Sequence, residues 1–187
     1  MTTELQGLDL GQLTGDYVID AGHSRLGFVA RHAMVTKVRG QFTEFEGKLH
    51  LDGENPANSS GEVTIQAKSI DTRNPDRDNH IRSNDFLAMD QYPTITFKTT
   101  GIEGGPDEWK VTGDLTVRGV TRPVTFDVSF LGANPDPWGN TRVGFEGSTV
   151  INRKDWGVNW NLAIEAGGVL VSEKVTLEFE IAAIKQS

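Results

Sequence analysis

Hydrophobic and polar positions alternate with period two along most of this chain, the mark of strands with one buried face. Val124, Phe126, Val128 and Phe130 are separated by Thr125, Asp127 and Ser129. Val175, Leu177, Phe179 and Ile181 alternate with Thr176, Glu178 and Glu180. The rhythm recurs in Phe45, Gly47, Leu49 and Leu51; in Val63, Ile65 and Ala67; and in Ile95 and Phe97. It returns in Trp109, Val111, Gly113, Leu115 and Val117, and in Val143, Phe145, Gly147 and Ile151. Tyr17 to Ala30 is rich in strand formers and breaks at Gly22, so it reads as two strands. The sum is about eight antiparallel strands, an all-β sandwich or barrel with one wet face. Asp52-Gly53, Gly104-Gly105 and Gly167-Gly168 are expected to turn the chain with positive φ.

One stretch breaks the rhythm. From Asn74 to Asp90 the pattern predicts one or two short helices. Asn74 is a cap and Pro75 sits at the first helical position. Ser83 can cap a second turn carrying Phe86, Leu87 and Met89, apolar residues that would close one barrel end.

An eight-stranded barrel is either filled by side chains or holds one ligand. Gly47, Ala67, Gly113 and Gly147 fall on the apolar phase, where small residues remove packing. The expectation is a long, narrow cavity suited to an extended chain. The alternative is that the glycines make room for neighbouring aromatics. Bore-facing candidates on the strands are Phe28, Phe45, Gly47, Ile65, Phe97 and Gly113, with Leu115, Phe126, Phe145 and Gly147. His32 is placed at the mouth, Phe86, Leu87 and Met89 on the closing segment, and Trp156 and Trp160 in a covering loop.

Composition narrows the partners. The 187 residues suit one domain, read as a flexible lead-in over 1–13 and a single barrel over 14–187. With no cysteine, a disulfide framework and thiolate chemistry are excluded. The net charge of −8 argues against nucleic acid and against attraction to anionic membranes. Met1 to Leu13 lacks the basic start and apolar run of a secretory signal, and no stretch reaches transmembrane length. A cytoplasmic protein is the expectation.

Candidate chemistry is sparse. Asp78 and His80 are spaced as an acid–base pair, but no nucleophile is signalled beside them, and capping of the helix with pairing to arginines is the preferred reading. His23, His32, His50 and His80 match no compact metal-ligand spacing. No metal, cofactor or catalytic residue is assigned. The arginines gather at strand ends, where surface pairing with carboxylates is the ordinary reading. Arg25 and Arg153 are exceptions: with His32 they are candidates to meet an anionic head group at one mouth. Bracing through Asp20 and Asp155 is the alternative.

From about Tyr17 to Ile184 the chain resembles the YceI-like family of bacterial polyisoprenoid-binding proteins. The resemblance rests on ordered motifs: Asp20-Ala21-Gly22-His23-Ser24, Phe28, His32, Gly40-Gln41-Phe42, Ser69-Ile70-Asp71-Thr72 and Arg77-Asp78-Asn79-His80. It continues through Ser83-Asn84-Asp85-Phe86, Tyr92-Pro93-Thr94-Ile95-Thr96-Phe97 and Gly113-Asp114-Leu115-Thr116-Val117-Arg118-Gly119-Val120-Thr121. It closes at Ile151-Asn152-Arg153-Lys154-Asp155-Trp156-Gly157. It implies a lipocalin-like barrel of eight antiparallel strands with a short helical segment. It also implies frequent homodimers, an isoprenoid tail or similar amphiphile in the bore, and no established catalytic residues. A carrier of a polyisoprenoid, isoprenyl phosphate or isoprenoid quinone is the leading expectation. An enzyme acting on such a lipid through His32, Asp78 or His80, or a stress protein with an incidental pocket, are the rivals. The chain departs from the family at Leu87, where relatives often carry a second aromatic after Phe86, and in lacking the secretion signal that many relatives have.

Overall fold

The computed structural model describes residues 10–161 and 171–186. Among these, eleven strand segments form one antiparallel sheet. They are β1 (Gly15–Ile19), β2 (Arg25–His32), β3 (Thr36–Phe42), β4 (Phe45–Leu51), β5 (Ser60–Gln66) and β6 (Ile70–Asp71). After the helix α1 (Pro75–Arg82) come β7 (Thr94–Gly104), β8 (Glu108–Val117), β9 (Val120–Pro135), β10 (Thr141–Asn152) and β11 (Lys174–Lys185).

The eleven segments make eight barrel staves. The ring β1-β4-β5-β7-β8-β9-β10-β11 closes where β1 pairs with β11. Three staves are interrupted part-way. β1 bends at the Asp20–Ser24 turn and continues as β2 along the same edge of β11. β3 runs into β4, and β5 runs into β6 through a 3-10 turn at Ala67–Ser69. Closure leaves no free edge around the ring of eight, and side chains alternate between bore and solvent.

β6 has no partner beyond β3, so the wall opens above β5 and β7. The segment after β6 covers that gap. Asn74 accepts from the Arg77 N–H and Pro75 opens α1, as the sequence indicates. The second helix does not form; residues 83–92 are a run of turns. Arginines tie this cap to the barrel. Arg82 donates to the carbonyls of Lys68 (2.8 Å) and Ile70 (3.1 Å). Arg118 donates to those of Asn84 and Phe86, both at 2.7 Å. These arginines serve backbone carbonyls rather than carboxylates. Turns and strand ends leave carbonyls without ladder partners, and a forked guanidinium fits several at once.

The opposite end is plugged. Leu13, Tyr17, Leu51, Trp109 and Val143 are all buried there. Tyr17 donates its hydroxyl to the Leu13 carbonyl at 2.6 Å, and burial raises its pKa. Of the lead-in, Leu10–Leu13 is thus a 3-10 turn with a buried leucine, a correction to the flexible start. Gly53 is needed here for closeness, not for positive φ: a β-carbon on it would collide with the Leu10 carbonyl. Gly104 and Gly105 do turn the chain with positive φ. Gly167 and Gly168 lie outside the described residues.

Candidate functional site

Inside the ring lies a cavity of about 420 Å³, lined almost wholly by apolar side chains. By the space one buried water needs, that is room for about thirty waters. Along β11 its wall runs from Val175 to Ile181, which at about 3.3 Å per residue and a barrel tilt near 40° is roughly 15 Å of bore, and Val171, bridged to His32, carries the lining on towards the cap. The cavity is long and narrow, as the strand pattern indicates.

Phe28, Ile65, Phe97, Leu115, Phe126 and Phe145 line it, and Phe86 and Leu87 close it from the cap. His32, Trp156 and Arg153 also reach it. Several candidates do not. Phe45 is half-buried off the cavity, and Met89 and Trp160 pack against the core from outside the bore. The glycines are the main correction. A β-carbon on Gly113 would stand 2.5 Å from the Phe97 ring, and one on Gly147 2.7 Å from the Phe179 ring. On Gly47 it would meet the Glu62 carbonyl and Ile19, each at 2.6 Å. These glycines do not border empty space. Two of them are the floor on which a neighbouring ring lies, the arrangement known to rescue glycine in sheets. The bore stays open because the rings lie along the wall. Ala67, buried at the start of the 3-10 turn, is likewise no part of the lining.

Leu26, Ala30, Val38, Val175, Phe179 and Ile181 line the bore and were missed as site residues. The β11 residues among them show plainly in the alternation. What alternation lacks is a way to rank one inward position above another.

Polar chemistry gathers at the cap end. Arg153 is 6% exposed. Its Nε donates to the Ser172 carbonyl (2.8 Å), Nη1 to Val158 (2.6 Å) and Nη2 to Val171 (3.2 Å). Its guanidinium lies 6.0 Å from the Phe86 ring centroid. Among the described residues no carboxylate is in ion-pair range of it, since Glu173 is engaged by Lys154 at 2.8 Å. Burial therefore pushes the Arg153 pKa down, with partial relief from the Glu173 charge. The brace runs through backbone carbonyls and not through Asp155. Trp156, 3% exposed, donates its indole N–H to the Leu115 carbonyl at 2.9 Å and anchors the loop.

Arg25 is elsewhere. It pairs with Glu178 at 3.1 Å and does not line the cavity. It stands opposite Glu180 on β11, whereas Asn152 stands opposite Lys174. Six residues of strand, roughly 20 Å, separate those levels, so Arg25 and Arg153 do not share a mouth.

The Arg77–His80 motif is structural in its contacts. Asp78 is buried and accepts from both the N–H and the hydroxyl of Thr72, while Arg77 donates to the Thr72 hydroxyl and carbonyl. His80 turns instead to Asp85, 2.8 Å away, and sits edge-on to Phe86 and Trp160. His23 and His50 each face one aspartate, Asp20 and Asp16.

A family model described as the YceI-like domain matches residues 17–183. The chain belongs to the YceI-like family. This YceI-like chain is 37% identical over 176 residues to a UPF0312 protein of Pseudomonas paraeruginosa, covering 93% of this chain and 89% of that one. It is 36% identical over 176 residues to protein YceI of Shigella flexneri, with the same coverage. Among solved structures, the Campylobacter jejuni YceI protein superposes with a TM-score of 0.72 at 27% identity, over 84% of this chain and 90% of that one. BcnA of Burkholderia cenocepacia gives 0.77 at 23% identity, over 88% and 98%. A polyisoprenoid binding domain from Saccharophagus degradans gives 0.69 at 16% identity, over 91% and 98%.

Proposed function

We propose that this protein binds and carries, or sequesters, a long apolar amphiphile of isoprenoid type, with the tail along the bore and the head at the cap end. The observation that carries the reading is the cavity itself: about 420 Å³, narrow, apolar and inside a closed ring. Each methylene buried there contributes about 0.8 kcal/mol, so a long tail needs few polar contacts. Shape supports a chain-like ligand over a flat metabolite. The description of the Saccharophagus domain as polyisoprenoid binding supports the same class.

Arg153 orients the ligand in this reading. A cation held in apolar surroundings, with carbonyls and, among the described residues, no carboxylate in ion-pair range, favours an anion in the adjacent bore. The proposal is a carrier rather than an enzyme, because the Asp78 carboxylate is committed to Thr72.

Trp109 and Trp156 line the cavity, so their fluorescence reports its filling. Titration with a polyprenol and with its monophosphate is predicted to give a saturable change for both, at lower concentration for the phosphate. A flat, unsaturable response to either would overturn the reading.

A further inference from the structure

We infer that the β2–β3 hairpin is a docking finger for an anionic lipid bilayer, placing the bore mouth against the membrane. This rests on the lipid-carrier reading and adds where the lipid is exchanged.

The tip exposes its largest apolar residues. Met34 is 55% and Val35 76% exposed. Single exposed apolar residues are ordinary. These two differ in their backbone and surroundings. Ala33 and Met34 both carry positive φ, at 51° and 65°, and the Val35 N–H closes the turn on the His32 carbonyl at 3.1 Å. Such turns prefer asparagine and glycine. Here the chain holds two side chains in the disfavoured region, and they present Met34 and Val35 to solvent.

Cations flank the tip. Arg31 pairs with Lys37 across the hairpin, and Arg39 follows opposite Val29. Like charges set directly opposite repel. Among the described residues none of the three has a carboxylate in ion-pair range. The acids of adjoining strands lie lower: Glu178 stands opposite Gly27, and Asp71 opposite Gln41, which itself pairs with Gly27. That level is four residues, roughly 13 Å, below the Arg31–Lys37 pair. Glu173, beside the hairpin, is taken by Lys154. For Arg31 and Lys37 that separation exceeds the physiological Debye length of about 8 Å, whereas Arg39, two residues or roughly 7 Å from the acids, lies within it. Among the described residues the Arg31–Lys37 tip therefore presents a local positive field, although the chain as a whole carries −8.

The same hairpin walls the bore. Ala30, His32 and Val38 line the cavity just behind the tip. Apolar residues seated in the headgroup layer, with cations at the phosphate level, would bring that mouth to the bilayer surface.

The test is flotation of the full chain with vesicles of phosphatidylcholine alone and of phosphatidylcholine mixed with phosphatidylglycerol. Uptake of a polyprenol delivered from cyclodextrin is measured in parallel. The protein is expected to float with the mixed vesicles and to be released by salt. Met34→Asp/Val35→Asp and Lys37→Glu/Arg39→Glu should each reduce flotation by roughly tenfold or more, at about fivefold per cation lost. Neither pair lines the cavity, so polyprenol uptake should hold. No flotation of the parent protein, or equal flotation of either variant, overturns the docking finger. Flotation lost in the variants with no polyprenol uptake in any protein upholds the finger and overturns the carrier reading.

Discussion

The Phe179 ring lies over Gly147, its directly paired neighbour across β10 and β11, so closely that a β-carbon on Gly147 would stand 2.7 Å from the ring's Cζ. The same β-carbon would be 2.8 Å from the Asp127 carbonyl, which belongs to backbone and cannot swing away. Gly147→Ala should therefore cost about 1–3 kcal/mol by overpacking. It should also tip the ring into the bore and lower polyprenol occupancy. Gly144→Ala, which meets nothing nearer than 3.5 Å, should stay within about 0.5 kcal/mol of the parent. Urea midpoints and ligand stoichiometry of both variants check this. An unperturbed Gly147→Ala would contradict the ring-on-glycine account.

Arg153 and Arg25 should respond differently to loss of charge. Arg153→Gln takes the guanidinium away from the carbonyls of Val158 and Ser172, leaves Val171 to the Asn161 amide, and should cost about 3 kcal/mol. It should also weaken the monophosphate more than the free polyprenol. Arg25→Gln breaks one half-exposed pair with Glu178 and should cost under about 1 kcal/mol, without changing either affinity. Thermal melts and paired titrations decide. Equal weakening of both lipids by Arg153→Gln would leave the arginine a brace alone.

Asp20 gives the fold an acid-sensitive clamp. It accepts from Arg142 at 2.7 Å, and Arg142 also reaches Asp136 at 3.1 Å, so the β1–β2 bend is tied to the β9–β10 hairpin. The Arg142 hydrogen bond holds the Asp20 pKa below the usual carboxylate value, with His23 adding to it. A depressed folded pKa contributes stability that is present above the unfolded value of about 3.9 and is lost as pH falls through the folded one. Asp20→Asn should be less stable than the parent by on the order of 1 kcal/mol at neutral pH. The gap should narrow below about pH 4. Urea denaturation across pH checks it, and a gap that widens in acid would contradict the clamp.

Asp78→Asn tests whether the Arg77–His80 motif is structural. Asparagine keeps an acceptor for Thr72 but loses the charge that strengthens both Thr72 hydrogen bonds, so a loss of about 1–3 kcal/mol is predicted. Polyprenol affinity measured below the melting transition should not change. Unaltered stability with lost ligand handling would point instead to a role in chemistry.

The barrel was legible because alternation survives closure. Val124 to Phe130 and Val175 to Ile181 show which face is inside, and Asn74-Pro75 shows where α1 begins. Even the count of eight staves follows, although three of them break locally at Asp20–Ser24, Thr43–Glu44 and Ala67–Ser69. The roles of the small residues were not legible. Period two places Gly113 and Gly147 inward, but whether a ring covers them depends on cross-strand register, which no single strand encodes. The arginines were misread for a related reason. Arg82, Arg118 and Arg153 find backbone carbonyls exposed by turns and strand ends, and those acceptors do not appear in a residue string. Arg25 and Arg153 seemed able to meet because both follow motifs at strand ends; the pairing with β11 puts them at opposite levels.

Native mass spectrometry of the gently purified full-length protein tests the central claim most directly. The account predicts a population heavier than the bare chain by one long apolar amphiphile, released as an isoprenoid-type lipid on activation. It also predicts loss of that species in a variant whose bore is filled, such as Leu115→Trp, at unchanged fold by circular dichroism. A bare-chain mass alone, persisting after incubation with polyprenol and polyprenyl monophosphate, would contradict it.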